Sequence, residues 1–194
     1  MKKILFFAFL FLFSSACLFA QKGNYTKEPG YVDISFLSEY TSGDNGSEVL
    51  IEEGMMKMLA QMTGGNDSSI TGQLKAIKLI HLISFDAGGD VIKTMESKIA
   101  DIDRDLLSKN WDRIAKTKSD KEYANIYVKS SGDGKFLGLF IASVNYKSGK
   151  TSFVNIVGNI DPAVIGKLPK EWKLPEMLKM KRDKNNGEKK EKED

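Results

Sequence analysis

The sequence predicts an α+β protein whose strands form one mixed or antiparallel sheet with helices packed on one face. Three observations lead to this class. Apolar residues recur at helical spacing between residues 92 and 106, they alternate with polar residues over much of 111–160, and Gly-containing turns separate the later segments. The predicted order is β-α-β-α followed by a run of antiparallel strands, and 194 residues suit a single domain.

The first half of the chain supplies the β-α-β part of this order. Tyr31–Phe36 alternates between apolar and polar side chains and predicts a half-buried strand. Ser47 can cap a helix that ends at Gly64 and Gly65. Leu74–Phe85 is apolar on both faces towards its end, which predicts an interior strand. The predicted core face of the intervening helix consists of Ile51, Met55, Met58 and Met62.

The second half contains the clearest helix and four predicted strands. The helix carries an apolar stripe at spacings of three and four residues, formed by Ile92, Met95, Ile99, Ile102 and Leu106. Alternation then predicts strands over Trp111–Lys116, Glu122–Lys129, Phe136–Tyr146 and Ser152–Ile160. Because short turns join the last of these strands, we expect them to pair antiparallel. Asp161 can cap a short helix after them.

The mature chain divides into three parts. We expect a flexible leader over residues 21–30, a single α+β domain over 31–170, and an exit segment with a disordered charged tail over 171–194. Residues 181–194 hold six basic and five acidic side chains and no apolar residue that could be buried.

The first twenty residues have the composition of an export signal. Lys2 and Lys3 precede an uninterrupted apolar run, Ile4–Phe13, and small residues follow it. The run is shorter than the ~20 residues that a membrane-spanning helix needs. We therefore predict a cleaved signal peptide, with the cut between Ala20 and Gln21.

Cys17 leaves lipid anchoring open as an alternative. A lipoprotein signal places an aliphatic residue three positions before the lipidated Cys, and Ser14 holds that position here. The apolar run also continues past Cys17. We therefore expect plain secretion, with membrane contact only if Cys17 is lipidated.

Composition excludes several classes of function. Without Lys2 and Lys3 the 29 basic residues become 27, against 26 acidic residues, so the mature chain lacks the basic excess of a nucleic-acid-binding protein. One Cys and one His cannot form a multi-His or multi-Cys metal site or an internal disulfide. The sequence therefore assigns no catalytic residue, no metal ligand and no cofactor.

Three stretches carry a resemblance to a known family: Gly30–Phe36, Glu122–Val128 and Phe153–Asp161. They are similar to the uncharacterised envelope proteins of Gram-negative bacteria grouped as domain of unknown function 4252, and the likeness covers residues 31–170. The resemblance implies the same order of elements and a periplasmic location, with an outer-membrane lipoprotein held through Cys17 as the alternative. It implies no activity and no site residue.

Two features are candidates for a site. His81 lies in an apolar strand, where a structural role is expected unless a nucleophile or a carboxylate lies within hydrogen-bond reach. Met55, Met56, Met58 and Met62 are four of the eight methionines. Filling irregular core space is the expected role of these methionines. A Met-rich surface for a ligand or a partner and a Cu(I) site are the alternatives.

The leading functional hypothesis is an exported, non-enzymatic domain that binds a protein of the cell envelope or acts as its accessory. One alternative is a small-ligand-binding module with a pocket between sheet and helices, and another is a hydrolase-type enzyme without a readable motif. A flat exposed apolar patch, with residues such as Met56 or Trp172, would favour protein binding. A deep pocket with convergent polar groups and perturbed carboxylates would favour the alternatives.

Overall fold

The sheet has six antiparallel strands in the order β1-β2-β6-β5-β4-β3, so β1 and β3 are its edges. The computed structural model describes residues 24–42, 45–62 and 68–160. The predicted α+β class with one antiparallel sheet is confirmed. The strands are β1 (Gly46–Glu52), β2 (Ile77–Asp86), β3 (Asp112–Lys118), β4 (Glu122–Ser130), β5 (Phe136–Asn145) and β6 (Lys150–Ile160).

The described part of the chain also contains the α-helices α1 (Glu53–Met62), α2 (Ser68–Ala76) and α3 (Gly89–Ser108). The predicted long helix is confirmed by α3, which buries Met95, Ile99 and Leu106 of its apolar stripe. The four strands predicted after it are confirmed as β3 to β6, with boundaries within two residues of those expected.

The predicted strand over Tyr31–Phe36 is wrong. Residues 31–34 belong to no strand, Ile34 has a non-extended backbone (φ −119°, ψ 15°), and a 3-10 helix, Ser35–Thr41, begins at the next residue. The alternation in this segment does mark burial, since Val32 and Ile34 both lie in the core. A side chain of the sheet, and not a strand ladder, holds the segment in place.

Asn155 of β6 is that side chain. Its buried Oδ1 accepts a hydrogen bond from the Val32 N–H at 2.9 Å, and its Nδ2 donates to the Gly30 carbonyl at 3.0 Å. Gly30 needs to be glycine because a Cβ there would lie 1.9 Å from the carbonyl oxygen of Leu137. Two of the stretches that carry the family resemblance therefore meet in the folded chain.

The predicted helix start at Ser47 is also wrong, since this residue lies in β1 and α1 begins only at Glu53. The run Val49–Ile51 is rich in β-branched side chains, and pairing with β2 outweighs the local capping signal. In the same way β2 begins at Ile77, because the predicted first residue, Leu74, belongs to α2.

The side chains of the sheet form two buried clusters, because neighbouring residues of a strand point to opposite faces. On the first face, Met95 of α3 and Leu37 of the 3-10 helix pack with strand residues such as Phe140. On the second face, Met56 of α1 and Leu74 of α2 pack with strand residues. Helix α3 therefore packs on one face of the sheet, and α1 and α2 pack on the other. The prediction that all helices lie on one face is wrong.

Several predictions fall outside the described residues. They are the signal peptide with its cut at Ala20 and Gln21, Cys17, the helix end at Gly64 and Gly65, the cap at Asp161, and the tail 171–194 with Trp172. The division into leader, domain and tail likewise stays a prediction. Over the ranges that are described, no helix combines the length and apolar character needed to cross a membrane.

Candidate protein-binding surface

Within the described sheet, β1 is an edge strand that pairs with β2 alone. Its seven residues keep an unbroken register, from Gly46 opposite Phe85 to Glu52 opposite Leu79. The first position of β1 requires glycine, because a Cβ on Gly46 would lie 2.5 Å from the Thr41 Cα. The outer backbone groups of such a regular edge form a template for pairing with another chain.

Two large apolar side chains of β1 are exposed to solvent. Val49 is 43% exposed and Leu50 is 48% exposed. Because they are neighbours in a strand, they point to opposite faces of the sheet. Each face of the edge therefore exposes one large apolar side chain, which favours association with another strand.

Helix α1 follows β1 directly and exposes further apolar side chains. Met56 and Ala60 lie one turn apart and are both buried, and Met56 packs against the sheet. The other large apolar side chains of α1 face outwards, and Met62 is 74% exposed. We call the exposed apolar residues of both elements the β1–α1 surface: Val49, Leu50, Met55, Met58, Leu59 and Met62.

The prediction that Met55, Met58 and Met62 belong to the core is therefore wrong. A cap at Ser47 would start the helix at Glu48, so α1 begins five residues later than predicted, and its buried face runs through Met56 and Ala60 instead. The three exposed thioethers fit the alternative of a Met-rich partner surface. No group of three or more His, Cys, Asp or Glu side chains that could hold a metal ion occurs among the residues that the structure describes.

His81 connects β2 to the edge strand. It is buried, and its Nε2 lies 2.7 Å from Oε1 of Glu48 on β1. A carboxylate thus lies within hydrogen-bond reach, as a catalytic His would require. The hydroxyl of Ser84, however, belongs to the opposite face, where it lies 3.1 Å from the Ser152 hydroxyl. The geometry gives His81 a structural role in holding β1.

The charges of β1 are all negative. Glu48 and Glu52 are its only ionisable residues, and both point to the same face as Leu50. The carboxylate of Glu52 lies near Tyr25, whose pKa is raised first by burial and then by the charge of Glu52. One face of the edge therefore carries two carboxylates with Leu50 between them, and the other face carries Val49 and Ile51.

A polar network joins α3 to β3 and β4, at the end of the sheet away from β1. Arg113 of β3 donates to both oxygens of Asp103 at 2.6 Å, and the buried Tyr127 hydroxyl donates to Oδ1 of Asp103 at 2.8 Å. Burial opposes ionisation of Asp103, but these hydrogen bonds outweigh it and lower the pKa of Asp103. Burial and the contact with Asp103 raise the pKa of Tyr127. No local pattern in the sequence indicates this network, because Arg113 and Tyr127 follow Asp103 by 10 and 24 residues.

An open cleft of about 550 Å³ lies beside α3. Its basic groups are largely engaged within the protein. Lys109 pairs with Asp105 at 2.8 Å, and Nζ of Lys129 donates to the carbonyls of Lys109 and Asn110 at the end of α3. Residues that line the cleft include Tyr31, Asp33, Phe36, Lys98, Asp101 and Trp111. Acidic and basic side chains are equally represented, so the cleft has no net charge to attract an ion.

Fold and site together define an α+β domain with an open antiparallel sheet, and among the residues that the structure describes one edge of this sheet has a regular ladder and exposes large apolar side chains. The model of the family described as "Domain of unknown function (DUF4252)" matches residues 40–168, and the chain belongs to this family. The predicted family is thereby confirmed. No curated protein and no solved structure matches the sequence at a significant level.

Proposed function

We propose that the protein is an exported, non-enzymatic domain that binds another protein of the cell envelope through the β1–α1 surface. The observation that carries this proposal is that a regular edge strand and an adjoining helix expose six large apolar side chains. Soluble proteins usually protect such edges, and exposed apolar patches mark interaction sites. Methionine suits the role because its flexible thioether adapts to the surface of a partner.

Site-specific photo-crosslinking in living cells tests the binding proposal. A benzoylphenylalanine probe at Leu50 or at Met58 should capture one and the same protein. The matched control is the probe at Ile114, which is 55% exposed on the opposite edge strand and should not capture that protein. No captured protein at Leu50 and Met58, or the same protein at all three positions, would contradict the proposal.

The periplasmic location is a proposal that rests on the N-terminal sequence, with its basic start, apolar run and small residues before Gln21. Intact-mass analysis of the protein from its own cells provides the test. A chain that begins at Gln21 supports secretion, whereas a diacylated Cys17 supports the outer-membrane lipoprotein. An unprocessed chain in the cytoplasm would contradict export.

A second candidate function is the binding of a small ligand in the cleft beside α3. Its volume of about 550 Å³ lies in the range of ligand pockets, and the Phe36 ring lies 5.5 Å from Nζ of Lys98 at its wall. Native mass spectrometry of protein isolated from its own cells tests this candidate. A small molecule that stays bound to the natural chain and is lost from Lys98→Gln would support it, and an unliganded protein would contradict it.

A further inference from the structure

We infer that the partner contributes an extended segment with two basic residues four positions apart, and that this segment adds to β1 as a seventh, antiparallel strand. The inference rests on the proposed function and names the chemistry of the partner at the same surface. It follows from the register, the side-chain pattern and the charge of β1.

The backbone of β1 is suited to strand addition. All seven residues pair with β2 without a register shift, so the outer side of the strand also presents a regular series of N–H and C=O groups. The rest of the sheet is antiparallel, and antiparallel pairs are slightly more stable per residue. An added antiparallel strand would therefore continue the existing sheet.

The side chains of β1 specify the pattern of the added strand. Glu48, Leu50 and Glu52 share one face, so the best partner places basic, apolar and basic residues opposite them. The other face exposes Val49, with Ile51 partly buried, which favours β-branched residues in between. Glu48 can accept such a contact while it is bound to His81, because a carboxylate has several acceptor positions.

A second copy of the chain fits this edge poorly. Strand β1 has no basic residue. Antiparallel pairing with another β1 about Leu50 would place Glu48 opposite Glu52, and like charges opposite each other destabilise a sheet; no register of this pairing places a basic residue opposite either Glu. Strand β3 does carry basic residues, but its ladder shifts between Arg113 and Ala115 and Arg113 is already bound to Asp103. The edge therefore favours a different protein.

Fluorescence anisotropy with two labelled peptides on the mature protein tests the inference. The basic probe has the sequence Thr-Lys-Val-Ile-Val-Lys-Thr, and the acidic probe carries Glu in place of both Lys. We expect the basic probe to bind about tenfold more tightly than the acidic one, and Glu48→Gln with Glu52→Gln to reduce this preference about fivefold. Asp120→Asn, which changes an exposed acid in the turn between β3 and β4, should leave the preference unchanged.

An N-methylated probe distinguishes strand addition from simple charge attraction. Comparison with the crosslinking result distinguishes failure of the strand inference from failure of the proposed function. A basic probe N-methylated at alternate amides should lose binding, because it cannot form the backbone ladder. Equal binding of the methylated probe, or equal binding of basic and acidic probes, would overturn the inference. If neither probe binds while Leu50 and Met58 still crosslink a protein in cells, the strand inference fails and the proposed function stands.

Discussion

The two edges of the sheet differ in how they are protected. The ladder of β3 is interrupted between Arg113 and Ala115, and Lys116 and Lys118 extend over the Tyr123 ring at 5.9 and 5.5 Å from its centroid. The ladder of β1 is unbroken, and its centre is apolar and exposed. Bulges and lysines are the usual means by which proteins prevent edge pairing. The comparison therefore indicates that β3 is closed to other strands and that β1 is open.

The two sides of the sheet also differ in what fixes them to the body of the protein. Near β3, the ion pair and hydrogen bond of Asp103 with Arg113 and Tyr127 tie the sheet to α3. Next to β1, α1 is fixed by the buried Met56 and Ala60. One face of α1 is thus used for packing within the protein, which leaves its other face for a partner.

The largest effect is expected at Met56. It is 2% exposed, so Met56→Ala removes buried contacts and leaves a cavity, and we expect unfolding to become easier by about 3 kcal/mol. The matched control is Met58→Ala in the same helix, which is 46% exposed and should change the unfolding free energy by less than about 0.5 kcal/mol. Urea titrations measure both. Equal losses would mean that α1 does not have the two distinct faces that the comparison requires.

A somewhat smaller loss of unfolding free energy is expected when Asp103, which lies near β3, is replaced. Asp103→Ala leaves the buried Tyr127 hydroxyl without its acceptor, while the partly exposed Arg113 can be hydrated instead. We expect a loss of about 2 kcal/mol in urea titrations, since an unsatisfied buried donor costs about 1–3 kcal/mol. Asp101→Ala, at an exposed position of the same helix, is the control and should stay within about 0.5 kcal/mol.

The neutral variant Asp103→Asn tests how much of the stability on this side depends on the charge of Asp103, through the pH dependence of the unfolding free energy. The folded chain lowers the pKa of Asp103, against the opposing effect of burial, through hydrogen bonds from Tyr127 and Arg113. The resulting stability is complete above the unfolded-state pKa of about 3.9 and is lost as the pH falls through the lower folded-state value. The difference between the natural chain and Asp103→Asn should therefore shrink in acid. A difference that stays constant down to pH 2 would assign the effect to packing.

Much of the fold could be predicted from the sequence because its signals are local. The apolar stripe of α3 repeats along the whole helix, and short loops join the strands of the second half. Periodicity and turn residues were therefore enough to locate these elements. Strand β1 could not be predicted in this way. It is stabilised by pairing with β2, which lies beyond two helices, while Ser47 and Glu48 locally favour a helix start.

The candidate surface could be predicted only in part. Spacing identified Met55, Met58 and Met62 as one face of a helix, but apolar residues also lie on the other face, and spacing cannot decide which face is buried. The Asp103 network had no local signal, because Arg113 and Tyr127 follow it by 10 and 24 residues. The buried face of α1 and the partners of Asp103 both depend on contacts between elements that are distant in the sequence.

The smallest effect on stability is expected from a charge placed on either edge strand. Because such variants stay folded, any difference in their binding reports directly on the difference between the two edges. Leu50→Lys and Ile114→Lys both change a large exposed apolar side chain, so each should shift the unfolding free energy by less than about 0.5 kcal/mol. A lysine on an edge strand opposes pairing with another strand. Only Leu50→Lys should therefore weaken binding of the captured envelope protein in a pull-down titration. If Ile114→Lys weakened binding equally, the β3 edge would be open as well, and the difference between the two edges would have no functional meaning.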